Sequence, residues 1–397
     1  MFSPLRCFSR KATSVLNHYS SSAVKDKMQS FYHSELQVIK QEKPKSLPKN
    51  REPLGFGLLF SDHMLEVDWS SDDGWTKPKI LPYENFSLDP ACKVFHYATE
   101  LFEGMKAYRG DDGRIRLFRP HLNMDRMRQS AKRAALPDFD GEQLLECIKD
   151  LVRVDQAWVP EEKGAALYIR PTLIGTEPSL AVSNSKRAKL FVITSPVGAY
   201  FTNGFAPIKL LADAKFARAA RGGVGAFKMG SNYGPTMSVA AESVSEGCQQ
   251  VLWLSGKEHY VTEAGAMNVF LHWKNERGEN ELITPSLDSG LILPGITRLS
   301  ILQLARDLGN VKVTERDFTM NELKNAVKEN RAYEFFGSGT AVVLSPIDSI
   351  LYKADGRNED IRFPKIDITK SLMAKLFNTI TDIQYGRKSR PGWTVEI

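Results

Sequence analysis

The chain has 397 residues, 42% of them apolar and 25% charged, which is too long for one simple core and points to two domains of ordinary globular composition. Its net charge of +6 comes mostly from the start: residues 1–25 hold Arg6, Arg10, Lys11 and Lys25 with no acid, whereas the remaining residues carry 49 basic and 47 acidic side chains. A nearly neutral body excludes the sustained basic face of a nucleic-acid binder, and no apolar run approaches the ~20 residues of a membrane-spanning helix.

The four cysteines, Cys7, Cys92, Cys147 and Cys248, are far apart and form no C-x-x-C. The seven histidines form no H-E-x-x-H. Neither a disulfide framework nor a zinc site is supported, so a reduced, soluble, metal-free body is expected.

In chain order, residues 1–25 are basic and serine-rich. Phe2, Leu5, Phe8, Ala12, Val15 and Leu16 recur at helical spacing, with the basic residues mostly off that stripe. This is the pattern of a mitochondrial transit peptide, implying the matrix, with the cytoplasm as the alternative if the segment is a plain tail. Residues 26–52, with QEKPKSLPKN, read as an arm or linker.

A smaller α/β domain is expected over 53–197. RIRLF (114–118), ALYIRPTLIG (166–175) and AKLFVITSP (188–196) read as strands. HLNMDRMRQSAKRAAL (121–136) and EQLLECIKDLVRVDQAW (142–158) carry apolar residues at i, i+3 and i+4 and read as helices. Residues 198–208, rich in glycine and bounded by prolines, form the expected interdomain loop.

A larger domain follows over 209–397. PIKLLAD, QQVLWLS, HYVTE and MNVFLHW read as strands; PTMSVAAESVSEG, GITRLSILQLARDLG and ITKSLMAKLFNTITDIQYG read as helices. The fold class is α/β in the broad sense, with mixed sheets (α+β) in two domains.

The chemistry concentrates in RAARGGVGAFKMGSNYGPTM (218–237), where three glycines precede Lys228. The run is not a P-loop, because Phe227 and Met229 flank the lysine where that motif needs glycine and a hydroxyl. Taken alone, it is equally a glycine-rich turn with a solvated lysine. Three other runs change the balance. VTEAGAMNVF (261–270) sets Glu263 among small and apolar residues. PGITRLSILQLA (294–305) opens a helix, whose free N–H groups suit a phosphate. GSGTAVV (337–343) is a small-residue turn feeding a strand. A Schiff-base lysine, a carboxylate for a pyridine nitrogen and a phosphate cradle are the parts of a pyridoxal-phosphate site.

These runs, with LFEGMKAYRG (101–110), LFRPHLNMDRM (117–127), LYIRPTLIGTEPSL (167–180), FGSGTA (336–341) and TDIQYG (381–386), carry a family likeness from about Gly55 to the end. The chain resembles the eukaryotic branched-chain amino-acid aminotransferases, pyridoxal-phosphate enzymes of fold-type IV with a two-domain, D-amino-acid aminotransferase-like fold. The resemblance implies transfer of the amino group of leucine, isoleucine or valine to 2-oxoglutarate by a ping-pong scheme, and a homodimer. It assigns Lys228 to the Schiff base, Glu263 to the pyridine nitrogen and Tyr233 to the ring hydroxyl. Arg126, Arg218, Ile296, Thr297 and Thr340 match the phosphate site. Phe56, Tyr97, Phe102, Tyr168, Leu180, Val182 and Ala341 match the substrate side, some of them supplied across the dimer, and Arg170 matches the arginine that meets glutamate's distal carboxylate. Two positions depart from the pattern. Val342 and Ser345 stand where mammalian mitochondrial members have C-x-x-C, and Ala266 stands where threonine is frequent.

Overall fold

The computed structural model describes residues 30–47, 54–198 and 206–397. The expected transit peptide, the two ends of the arm (26–29 and 48–52) and most of the interdomain loop lie outside the described residues.

Among the described residues, ten strands form one sheet and nine another. The first contains β1 (Gln37–Val38), β2 (His63–Ser70), β3 (Gly74–Trp75), β4 (Lys79–Pro82), β5 (Glu100–Phe102), β6 (Met105–Arg109), β7 (Ile115–Phe118), β8 (Ala166–Gly175) and β9 (Arg187–Val197). The short α1 (Lys93–Tyr97) precedes β5, while α2 (Pro120–Arg133) and α3 (Gly141–Val154) follow β7. The second contains β10 (Ile208–Asp213), β11 (Gln250–Ser255), β12 (Tyr260–Ala264), β13 (Met267–Lys274), β14 (Asn280–Thr284), β15 (Lys312–Glu315), β16 (Ala332–Gly339), β17 (Val343–Ala354) and β18 (Arg357–Arg362). Its helices are α4 (Met237–Ser245), α5 (Ile296–Leu308), α6 (Met320–Lys328) and α7 (Leu372–Gln384). The tenth strand of the first sheet is β19 (Thr394–Glu396), which pairs with β7, so the last residues of the chain return to the first unit.

The first sheet runs β1-β4-β2-β9-β8-β6-β7-β19. The second runs β12-β11-β10-β17-β16-β13-β14-β15, and β12 also pairs with β13, which closes a barrel. Closure removes free edges from those strands.

Local sequence accounts for the elements. In α3, Asp140 accepts from the N–H groups of Glu142 and Gln143, and Leu144, Ile148 and Leu151 form its buried stripe. Thr319 and Glu322 form a capping box on α6. β8 is buried at nine of its ten positions and pairs along its whole length with β9. That is why it reads as a nearly continuous apolar run.

The two units meet through a shared core. Tyr108, Phe118, Tyr168 and Val197 of the first unit pack with Phe270, Phe336, Leu344, Ile301 and Ile380 of the second. Full burial of each aliphatic or phenylalanine side chain among these contributes about 1.5–3 kcal/mol, so this junction stabilises the packing of one unit on the other.

α7 is tied to the barrel by Glu334. Its carboxylate accepts from Leu372 N at 3.0 Å, Met373 N at 2.9 Å and the His272 ring at 2.9 Å. Burial pushes this acid up, but the His272 and backbone hydrogen bonds outweigh it and leave it below its ordinary value. A depressed acid contributes stability above the ordinary carboxylate range and loses it as pH falls through the folded value. Glu334→Gln is expected to cost about 1–3 kcal/mol in urea unfolding near neutral pH. The gap to wild type should narrow below roughly pH 4.

Candidate active site

Lys228 is held by the first unit although it lies in the second half of the chain. Its N–H donates to Ser130 Oγ of α2 at 3.1 Å, and its carbonyl accepts from Phe102 N of β5 at 3.0 Å. Two residues on, a Cβ at Gly230 would fall 1.8 Å from Glu100 Oε1, so a larger residue there would have to push the Glu100 side chain aside. The lysine Nζ donates to Tyr233 Oη at 3.2 Å and lies 4.8 Å from the centre of the Phe102 ring. Burial, reinforced by the positive charge of Arg126, drives its amine down to about 8. Burial, reinforced by Glu263, pushes the Tyr233 hydroxyl up to about 12, so it stays protonated.

Glu263 sits in β12, 3% exposed. Its Oε1 accepts from Asn268 Nδ2 at 3.1 Å and from Leu293 N at 2.9 Å, and its Oε2 lies 3.0 Å from Arg218 Nε. Burial raises its pKa and makes the carboxylate more basic than an ordinary one. Arg218 also donates to Gly225 O and Leu291 O. The structure therefore sets Arg218 against the carboxylate end of the cleft, whereas the family likeness matched it to the phosphate.

Arg126, from α2, makes two parallel hydrogen bonds to Glu103, Nε to Oε1 and Nη2 to Oε2, both 2.7 Å. Its Nη1 donates to Pro294 O at 3.0 Å, next to the start of α5. Gly295 caps that helix without a side chain, leaving the positive dipole end uncovered. A Cβ there would fall 2.1 Å from Asn268 Oδ1. Ile296, Thr297 and Thr340 line one small cavity with Gly104, Lys106 and Asn123. The three cradle residues are thus brought together.

On the substrate side, Arg170 Nη2 donates to Tyr168 Oη at 3.1 Å, and its guanidinium stacks 4.7 Å from the Phe102 ring centre. Arg170 Nε is buried with no hydrogen-bond partner, a donor free for a ligand acceptor. Phe56 packs edge-on to Tyr168 at 4.9 Å yet is half exposed. Tyr97, Leu180 and Val182 are not drawn into this chain of contacts. Tyr97 donates to the Leu180 carbonyl, and Leu180 and Val182 are 65% and 85% exposed. Ala341 lies in the turn after β16, where its carbonyl accepts from Lys106 Nζ at 2.8 Å.

The residues present fit pyridoxal phosphate. A desolvated amine stands beside a protonated tyrosine, a buried carboxylate can face a ring nitrogen, and an uncapped helix start with a nearby guanidinium suits a phosphate. Three contributors escape a reading of the sequence: Glu103, Lys106 and Asn268. The first two lie inside the LFEGMKAYRG run, and the one available signal is a charged residue set among strand-forming apolar ones.

Residues 100–350 match the family model described as amino-transferase class IV, and the chain belongs to that class. Full-length relatives narrow the placement. The chain is 52% identical to a cytosolic branched-chain-amino-acid aminotransferase of Caenorhabditis elegans, over 94% of this chain and 91% of that one. It is 49% identical to a mitochondrial one of Rattus norvegicus, over 92% of each. Within the class it is a member of the branched-chain-amino-acid aminotransferase family. Among solved structures it resembles the branched-chain amino acid aminotransferase from Escherichia coli, at 25% identity and TM-score 0.60, over 83% of this chain and 98% of that chain. It also resembles a branched-chain amino acid aminotransferase solved with pyridoxamine 5'-phosphate, at 25% identity and TM-score 0.63, over 83% of this chain and 97% of that chain.

A lysine lowered to about 8 leaves roughly a tenth of the amine unprotonated near neutral pH, against well under a thousandth for an ordinary lysine. Capture of pyridoxal phosphate by cofactor-free protein, followed by absorbance, should therefore rise with pH to a plateau with a midpoint near 8. A midpoint above about 10 would show Lys228 to be an ordinary solvated lysine.

Proposed function

We propose that the protein transfers the amino group of L-leucine, L-isoleucine or L-valine reversibly to 2-oxoglutarate, giving the branched-chain 2-oxo acids and L-glutamate. The observation that carries this reading is the desolvated Lys228 amine, with Tyr233 at its side and Glu263 buried in the same site, in a chain about half identical to branched-chain-amino-acid aminotransferases. The same protein then holds pyridoxal phosphate through Lys228, Tyr233 and Glu263, with Arg126, Ile296, Thr297 and Thr340 at the phosphate. Arg218 supports Glu263.

When bound, pyridoxal phosphate supplies an aldehyde that bonds the amino nitrogen and a ring that accepts the electrons of the Cα–H bond. The chain's own residues do the rest. Lys228, with a pKa near 8, gains and loses a proton easily near neutrality and moves the substrate's α-proton. Glu263, made more basic by burial, keeps the ring nitrogen protonated. Phe102 and Tyr168 offer apolar walls to a branched side chain, while Arg170 meets the second carboxylate of glutamate. The keto acid leaves before the second substrate enters, as group transfer through the enzyme requires.

The exposed patch of Tyr97, Leu180 and Val182 supports a homodimer in which these residues complete the partner's substrate pocket. The 53–197 and 209–397 units would then act as one enzyme with the site between them. For location we favour the mitochondrial matrix, on the acid-free, amphipathic residues 1–25. Relatives of both compartments are comparably similar, so import of a fusion bearing residues 1–25 is the deciding observation.

Purified protein should be yellow and should lose that colour to L-leucine but not to D-alanine. Lys228→Ala should lower transamination by at least roughly 10²–10⁴-fold. Arg170→Met should raise the KM for glutamate about tenfold to a hundredfold and change that for leucine far less. A colourless protein that cannot be loaded with pyridoxal phosphate, or colour loss to D-alanine alone, contradicts the reading.

A further inference from the structure

Lys106 is a buried cation that none of the roles above uses. It lies in β6 opposite Tyr168 of β8, on the cleft face of the sheet, and is 6% exposed. Its Nζ has one hydrogen-bond partner, the carbonyl of Ala341, 235 residues later in the chain, and it forms no ion pair among the described residues. Burial alone, with no carboxylate to oppose it, lowers the amine to about 8. An uncompensated ammonium in such a place is costly, and its surroundings give little back.

The partner it holds is itself strained. β16 ends at Gly339 and β17 begins at Val343, whose φ is +62°. A β-branched residue in the left-handed region is a genuine outlier. Leu344 N donates to Val342 O at 2.9 Å across it, the rarer and strained form of γ-turn. The β16–β17 ladder holds the two ends of the turn, with Gly339 opposite Val343. Lys106 reaches across the junction of the two units and holds its middle, at the Ala341 carbonyl. The same lysine lines the small cavity that Ile296, Thr297 and Thr340 share.

We propose that Lys106 is a positioning residue of the active site: by holding the Ala341 carbonyl it fixes the strained 340–343 turn, and its unpaired charge stands beside an oxyanion of the bound ligands. That oxyanion is the cofactor's phosphate or the substrate's carboxylate. Either one offsets a buried charge that the protein's own carboxylates leave unopposed, so the cost of burying Lys106 is recovered only when ligand is present. The inference rests on the site reading given above, which cofactor loading of the same preparation tests separately by absorbance.

The test uses two ligands. Affinity of cofactor-free protein for pyridoxal phosphate reads the phosphate. Calorimetric affinity of the loaded enzyme for 4-methylvalerate, which has leucine's side chain and carboxylate but no amino group, reads the carboxylate. In Lys106→Met at least one of these should weaken roughly tenfold. Thermal stability of the cofactor-free protein should hold or rise, because a buried unpaired charge has been removed. A lysine with a merely structural role would show the reverse, with stability lost and both affinities kept. Val343→Gly, which takes φ +62° without strain and leaves Lys106 in place, loosens the same turn and should weaken the same affinity several-fold. Unchanged affinities in Val343→Gly, or in a folded Lys106→Met, would overturn the proposal.

Discussion

The Glu103 carboxylate and the Arg126 guanidinium meet through two 2.7 Å hydrogen bonds where Glu103 is fully buried and Arg126 nearly so. Asn123 Nδ2 and Gly104 N complete the acid's partners at 2.8 and 3.1 Å. A buried ion pair of this kind is weak as a source of stability, since the desolvation of two charges offsets most of their attraction. Its value lies in what it fixes. With two of its nitrogens committed to Glu103, Arg126 places its third on Pro294 O, at the entrance to α5. One interaction thereby ties the first unit's α2 to the helix start that suits a phosphate.

The same pair sets the electrostatics around Lys228. Arg126 and Arg170 disfavour a second positive charge there, while Glu103 and Glu263 favour it, and burial, the largest influence, brings the amine down to about 8. Counting Arg126, Arg170, Arg218 and Lys106 against Glu103 and Glu263, the cleft holds more cations than anions before Lys228 itself is charged. Such an excess in a partly enclosed space draws anions, and a phosphorylated cofactor and carboxylate substrates are what the family likeness supplies.

Much of this frame was legible in the sequence. β8 falls on the residues its apolar run indicates, and α2 and α3 lie within a few residues of their 3.6-period stripes. What escaped was non-local. The return of β19 to β7 and the double pairing of β12 leave no trace in local periodicity. Glu103 and Lys106 escaped because pattern reading assigns charges to the surface, and only the folded chain supplies the partners that permit their burial. Lys228, Glu263, Tyr233 and the cradle residues were recognisable because their runs are ordered along the chain as the family's are. The position of Arg218 beside Glu263 depends on a fold-back that the likeness did not specify. The exposure of Tyr97, Leu180 and Val182 likewise needed the fold, since an apolar residue reads the same whether it faces a core or a second copy.

The central claim is that Lys228, among all the lysines of this chain, is the amine that burial has prepared to carry the cofactor. Borohydride reduction of the pyridoxal-phosphate-loaded protein, followed by peptide mass mapping, addresses it directly. A phosphopyridoxyl group should appear on Lys228 alone, with Lys106, the other desolvated lysine near the cleft, unmodified. Label on Lys106 or on exposed lysines in place of Lys228 would contradict it.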